Sequence, residues 1–179
     1  MTKRQPATDG TEAMRTALKS QYHGALAMLR QAIERCPDDL WFNRDYANPF
    51  WKIAYHTLFY THLYIQPNED SFRPWKHHRT DIQSMDAPPA SAGRPPQTGE
   101  PYTKSQVLDY WNICEEMVDG AVDGLNLLDE QCGFSWYDLP KAAHQIVSIR
   151  HIQHHAAQLG VRLREASGIG IDWVGGGRQ

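Results

Sequence analysis

Nine histidines are the residues of this chain best suited to do chemistry, and several are spaced to act together. His151 and His155 stand four apart in the run HIQHH. On a helix, residues four apart lie about 5–6 Å from each other at Cβ. Two imidazoles so placed form a bite for one metal ion. At 100° per residue both lie on the flank of an apolar stripe, turned partly inward. His154 faces the other way and is read as a solvated surface residue. His144 shares the flank of His151 two turns earlier, too far to bind the same ion but able to line the same channel. A metal held by neutral imidazoles wants at least a third ligand. His56 is the candidate: it sits midway along a very apolar segment beside Ile53, Phe59, Tyr60 and Leu63, where an imidazole needs a partner. His62 is a third of a turn away and is not expected to face the same neighbour. The alternative stays open on spacing alone, since HxxxH arises by chance in a histidine-rich chain and a buried histidine often bonds a carbonyl or a tyrosine. No Glu follows His151, so the general base built into the HExxH zinc proteases is missing.

Four stretches carry helical periodicity, and nothing reads as a strand. The first runs from about Glu12 to Cys36, with Met14, Leu18, Ala25, Leu29, Ala32 and Cys36 on one stripe; Pro37 and Asp38–Asp39 end it. The second, Phe50 to Ile65, is apolar almost all round and so central, with Asn48 as cap and Pro49 at the first helical position. The third opens at Thr103 with Gln106 three residues on, a capping box. Its stripe of Val107, Trp111, Cys114, Val118, Ala121, Leu125 and Leu128 carries it to Cys132–Gly133. The fourth starts near Asp138, with Pro140 in its first turn, and runs to about Ser167, where Gly168 and Gly170 stop it. Ala142, Ile146, Ile149, Ile152, Ala156, Leu159 and Leu163 form its expected core face. Between the second and third helices, residues 66–102 hold seven of the 11 prolines, with DAPPASAGRPP at the centre. That composition makes a long loop, a lid or a wandering crossover; Trp75, His77 and His78 suggest that part of it docks. The tail after Gly168 is expected to be loose apart from Trp173. The expectation is one all-α domain over 1–179, a four-helix bundle with a long crossover between its second and third helices.

Composition excludes several classes. With 179 residues, 41% hydrophobic, the chain can bury a core without disulfides or a structural metal. Eighteen basic residues against 21 acidic ones give a net charge of −3, which lacks the excess that binding nucleic acid demands. No run approaches a membrane span of about 20 residues, and the amino terminus has no apolar segment of the signal-peptide kind. The three cysteines (Cys36, Cys114, Cys132) are too few and too widely spaced for a disulfide framework or a thiolate cluster. A soluble cytoplasmic protein is expected. The aromatic residues Trp41, Phe42, Phe50 and Trp51 exceed what one small bundle easily hides, which points to a homodimer seam.

The segments NPFWKIAYHTLFYTHLYI around His56 and IRHIQHHAAQL around His151 and His155 resemble the DinB/YfiT-like superfamily of metal-dependent enzymes. These are four-helix bundles with a three-histidine metal site. The resemblance covers nearly the whole chain through helix order. It implies a metal triad of His56, His151 and His155, with Gln158 as the trailing Gln of the last helix. Many relatives carry Arg-Gly where this chain has Ala156–Ala157. Three nitrogens with an open position are the catalytic pattern, and some members of the superfamily are transferases or isomerases that use a low-molecular-weight thiol. The expectation is therefore an enzyme dependent on a divalent metal (Zn, Ni or Fe; imidazole also suits Cu), a thiol S-transferase or a hydrolase, acting on a small molecule. Tyr55, Tyr60, His144 and Trp111 are candidate lining residues, although for Trp111 core packing is favoured. The cysteines are read as small buried hydrophobes. The competing expectation is a metal-binding or structural helical dimer without turnover.

Overall fold

The computed structural model describes residues 8–80, 82–85 and 100–177. Among them the secondary structure is all-helical: α1 (Thr8–Arg35), α2 (Asp38–Trp41), α3 (Phe50–Tyr64), a 3-10 turn (Glu69–Ser71), α4 (Lys104–Gly124) and α5 (Lys141–Ser167). No helix among these residues is long and apolar enough to cross a membrane. The heart of the Pro-rich segment, 86–99, lies outside the described residues, as does the start of the chain.

In α1 the residues Leu18, Tyr22, Ala25, Leu26, Leu29, Ala32 and Ile33 are buried at spacings of three and four, the mark of a helix with one face in the core. Met14, expected on that stripe, is exposed. Pro37 ends the helix by disfavouring helical backbone at Cys36. The acidic pair behind it does not simply terminate. Asp38 and Asp39 open the single turn of α2, where negative charge suits the positive helix start, and this turn carries Trp41 fully inside with its indole on the Tyr102 carbonyl at 3.0 Å.

α3 is central, as its composition requires: 12 of its 15 residues are buried. Asn48 is not its cap. Pro49 holds that position without a side-chain cap, and Asn48 reaches instead to the Met85 carbonyl. α1 and α3 each pack against both α4 and α5.

α4 begins with the expected capping box, in which the Thr103 hydroxyl accepts from the Gln106 backbone and the Gln106 side chain accepts from the Thr103 backbone. It stops eight residues before Cys132, at Gly124. The Arg15 guanidinium of α1 donates to the Val122 and Leu125 carbonyls, which satisfies acceptors a helix end leaves open. Asn126 then folds a turn onto Asp129. Leu125 still reaches the core, but Leu128 is 78% exposed.

α5 starts at Lys141 behind Pro140, not at a capping Asp138, and ends on Gly168 in the left-handed conformation, φ 72°. Its second half buries Ile152, Ala156, Leu159 and Leu163 as expected, whereas Ile146 is exposed and Ala142 and Ile149 are only partly covered. The first turns bury Lys141, His144, Gln145 and Ser148 instead. The reason is tertiary: the Tyr64, Pro67 and Cys132 carbonyls end there without helical partners. Gln145 donates to Tyr64 at 3.1 Å, and the Lys141 ammonium donates to Pro67 and Cys132. Burying those acceptors unpaired would cost more than turning a polar face inward.

Residues 169–177, expected to be loose, are tied down. They run back along α1, with the Gly177 amide on the Ser20 carbonyl at 3.0 Å, Gln21 on the Gly175 carbonyl, Gln31 exchanging bonds with Asp172, and Arg35 paired with Asp172. Gly24 permits this approach, since a Cβ there would meet Gly176 at 3.1 Å. Trp173, expected as the anchor, is 77% exposed. The aromatic surplus that suggested a homodimer seam is absorbed within the chain: Trp41, Phe50 and Trp51 are buried, and Phe42 alone of the four is exposed.

Candidate metal centre

His56 comes from the middle of α3, and His151 and His155 come from successive turns of α5, the helix packed on it. Their rings converge. The Nε2 atoms of His56 and His151 are 3.1 Å apart, and one ligand atom from each of the three histidines can be chosen so that all lie within 4.8 Å of one another. The ring centroids are separated by 5.1 Å (56–151), 4.9 Å (56–155) and 4.6 Å (151–155). Two imidazole nitrogens on a tetrahedral zinc at 2.0–2.1 Å stand about 3.3 Å apart, so the closest pair already has that spacing.

Two of the three rings are oriented by an acceptor behind them. His56 Nδ1 donates to the Gln83 carbonyl at 2.6 Å, and His155 Nδ1 donates to Gln158 Oε1 at 2.9 Å. Each bond places a proton on Nδ1 and turns an Nε2 lone pair toward the centre, the arrangement that outer acceptors impose on metal-bound histidines. Burial pushes the basicity of His151 down to about 3, helped by neighbouring His155 and His56. Burial also lowers His155, opposed by its bond to Gln158. Such rings stay neutral, the form that binds metal. The donor set therefore fits a divalent ion: three imidazoles, half-buried or buried, with no carboxylate or thiolate joining the group among the described residues.

On the side of His56 and His151 lies a cleft of about 510 Å³, walled by Phe59, Tyr60, Leu63, Tyr64, Gln83, Trp136 and Tyr137. Tyr60 packs on His56 with ring centroids 4.7 Å apart and thus lies beside the three histidines. Gln158 does too. Tyr55 does not: its hydroxyl meets His78 Nδ1 at 2.6 Å and its ring stacks on Tyr102, in an aromatic cluster on another side of α3. His144 is fully buried beside the cleft wall among Tyr64, Phe134 and Tyr137, separated from the triad by Tyr64. Burial and the nearby Lys141 charge push it down to about 4. His62 faces Tyr110 and Phe72, away from the triad, and His154 is exposed. Trp111 is core, its indole on the Leu26 carbonyl. All three cysteines are buried free thiols, with Cys36 pushed up to about 12 chiefly by burial, which leaves it un-ionised and unreactive.

Periodicity gave no sign of Gln83, Trp136 and Tyr137, which reach the site from irregular segments distant in sequence. It also passed over His23, buried between α1 and α4 with Nδ1 on Glu115 at 2.6 Å and Nε2 on Asp119 at 3.0 Å. The signal available there was the acidic pair at i and i+4 on the edge of the α4 stripe. No family model matches the chain, and no curated protein or solved structure is detectably similar to it.

Proposed function

We propose that this protein is a divalent-metal-dependent enzyme of the DinB/YfiT-like kind, acting on a small molecule, and that its chemistry is thiol S-transfer. The architecture that goes with this reading is a four-helix bundle of α1, α3, α4 and α5, with the connection between α3 and α4 as its long crossover. The observation that carries it is the convergence of His56, His151 and His155 beside a cleft large enough for a small organic molecule. His56, His151 and His155 would hold the ion, and the Gln83 carbonyl and Gln158 fix two of those rings. A divalent ion there supplies Lewis acidity that brings the ionisation of a bound thiol or water toward neutral pH.

S-transfer is favoured over hydrolysis by the cleft wall. A thiol ionises near pH 8.5 without help, whereas an attacking water gains from a positioned base. The described wall offers phenols, an indole, an amide and alkyl groups, and no carboxylate. In the proposed reaction the thiol sulfur forms a bond to an electrophilic carbon, the leaving group departs with its electron pair, and the thiol proton passes to solvent. The aromatic wall excludes water from the reacting atoms and holds the electrophile. Metal binding without turnover is the second reading, supported by the same lack of a base.

The test is a screen of purified protein loaded with Zn, Ni or Fe, offering small thiols with aromatic electrophiles and following thiol consumption. Metal-dependent consumption that His151→Ala abolishes supports the enzyme. A protein that takes up metal yet consumes no thiol with any partner supports the binding reading instead.

A further inference from the structure

We propose that the cleft beside the triad binds a neutral, flat, largely apolar molecule carrying one hydrogen-bond donor, and that with no ion at the triad it rejects anions. The inference deepens the proposed function by giving the class of the electrophilic substrate, and it rests on that reading for the role of the bound molecule but not for its binding.

The wall is built from Phe59, Tyr60, Leu63 and Tyr64 of α3 and from Trp136 and Tyr137 of the 125–140 connection. Its rings stand at steep angles to one another: Phe59 against Tyr60 at 5.3 Å and 80°, Tyr64 against Tyr137 at 5.8 Å and 77°. Such a frame presents both ring faces and ring edges, the two surfaces an aromatic guest packs against. Tyr and Trp side chains also lose little freedom when they bind, because each has only two side-chain torsions. Trp136 lies at the mouth, 49% exposed, with apolar area still to cover.

Charge is excluded by what the wall lacks. None of its described side chains is Lys, Arg, Asp or Glu. With no ion at the triad, an ionised group taken into such a cleft leaves its hydration without gaining a counter-charge, a large cost. One polar requirement remains. The side-chain oxygen of Gln83 is buried and has no hydrogen-bond partner among the described residues, although the backbone carbonyl of the same residue orients His56. A buried acceptor of that kind calls for a donor. Gln83 lines the cleft, so a turn of its side chain would bring that oxygen to a ligand O–H, N–H or S–H next to the triad.

Three probes of one size separate these features: 2-naphthol (neutral, donor), 2-methoxynaphthalene (neutral, no donor) and 2-naphthalenesulfonate (anion). Binding is measured by calorimetry on chelator-treated full-length protein, so the outcome is independent of whether the triad takes up metal. Expected is saturable binding of 2-naphthol, weaker binding of the methoxy compound by about fivefold, and of the sulfonate by tenfold or more. Tyr60→Ala and Trp136→Ala should each weaken 2-naphthol at least fivefold, and Gln83→Leu should erase the preference for naphthol over its methyl ether. Circular dichroism establishes that each variant is folded, and Trp136→Ala changes a half-exposed position. Equal affinity for the sulfonate, no saturable binding of 2-naphthol, or affinities untouched by Tyr60→Ala and Trp136→Ala would overturn the proposal. Metal uptake at the triad with no naphthol binding would sink this inference alone, and naphthol binding without metal uptake would sink the metal reading alone.

Discussion

At the level of single side chains, the candidate metal centre depends on what stands behind its three histidines. Gln158 holds His155 in the tautomer with its proton on Nδ1, and losing an outer partner of this kind typically weakens metal binding 10–100-fold. Gln158→Ala is therefore expected to lower zinc affinity within about that range while leaving the stoichiometry unchanged, as read by competition with a chromophoric chelator. His144 makes the opposite case. Both its ring nitrogens are buried without a partner among the described residues, so an apolar side chain of similar size removes a desolvation cost and loses no bond. His144→Leu should leave stability at pH 7 unchanged or raise it by about 1 kcal/mol in urea unfolding; a loss of about 2 kcal/mol or more would show that the imidazole is satisfied in solution. The i, i+4 pair and the histidine midway along the apolar helix were legible because helix geometry alone places them. Gln83 was not, because it reaches His56 through a backbone carbonyl, and every residue type has one.

Elements were most legible where a local signal sets them. The Thr103–Gln106 box marked the start of α4 to the residue, and Gly168 marked the end of α5. Thr103→Ala removes one of the two reciprocal bonds and should cost about 1 kcal/mol, measurable as a shift of the urea midpoint without change in slope. Boundaries set by distant partners were not legible. The stripe through Leu128 suggested a longer α4, yet Arg15, more than a hundred residues earlier, ties off the helix at Val122 and Leu125. The start of α5 reads as apolar through Ala142, Ile146 and Ile149, but the carbonyls waiting at Tyr64, Pro67 and Cys132 turn its polar face inward. The tail looked loose for the same reason: its glycines gave no periodic pattern, and what holds it is the row of polar side chains on α1.

For the molecule as a whole, buried histidines set the response to pH. Burial holds His62 and His144 at about 4, below the unfolded value of about 6.5. The unfolded chain therefore takes up these protons first. Stability is complete above pH 6.5 and falls as the pH drops from 6.5 to 4, by up to roughly 3 kcal/mol for each group. Urea midpoints should decline across that window, and His144→Leu should shallow the decline; a flat profile would contradict the account of these side chains. The central claim concerns His56, His151 and His155, which approach one another only in the folded chain, so an ion bound there must also stabilise the fold. The most direct measurement is a Co(II) titration of the chelator-treated protein, followed by visible absorption, beside His56→Ala, His151→Ala and His155→Ala. One ion per chain, with an intense four- or five-coordinate spectrum in the parent protein and its loss in every variant, is the predicted result. No saturable spectrum in the parent protein, or a spectrum that survives in all three variants, would contradict it.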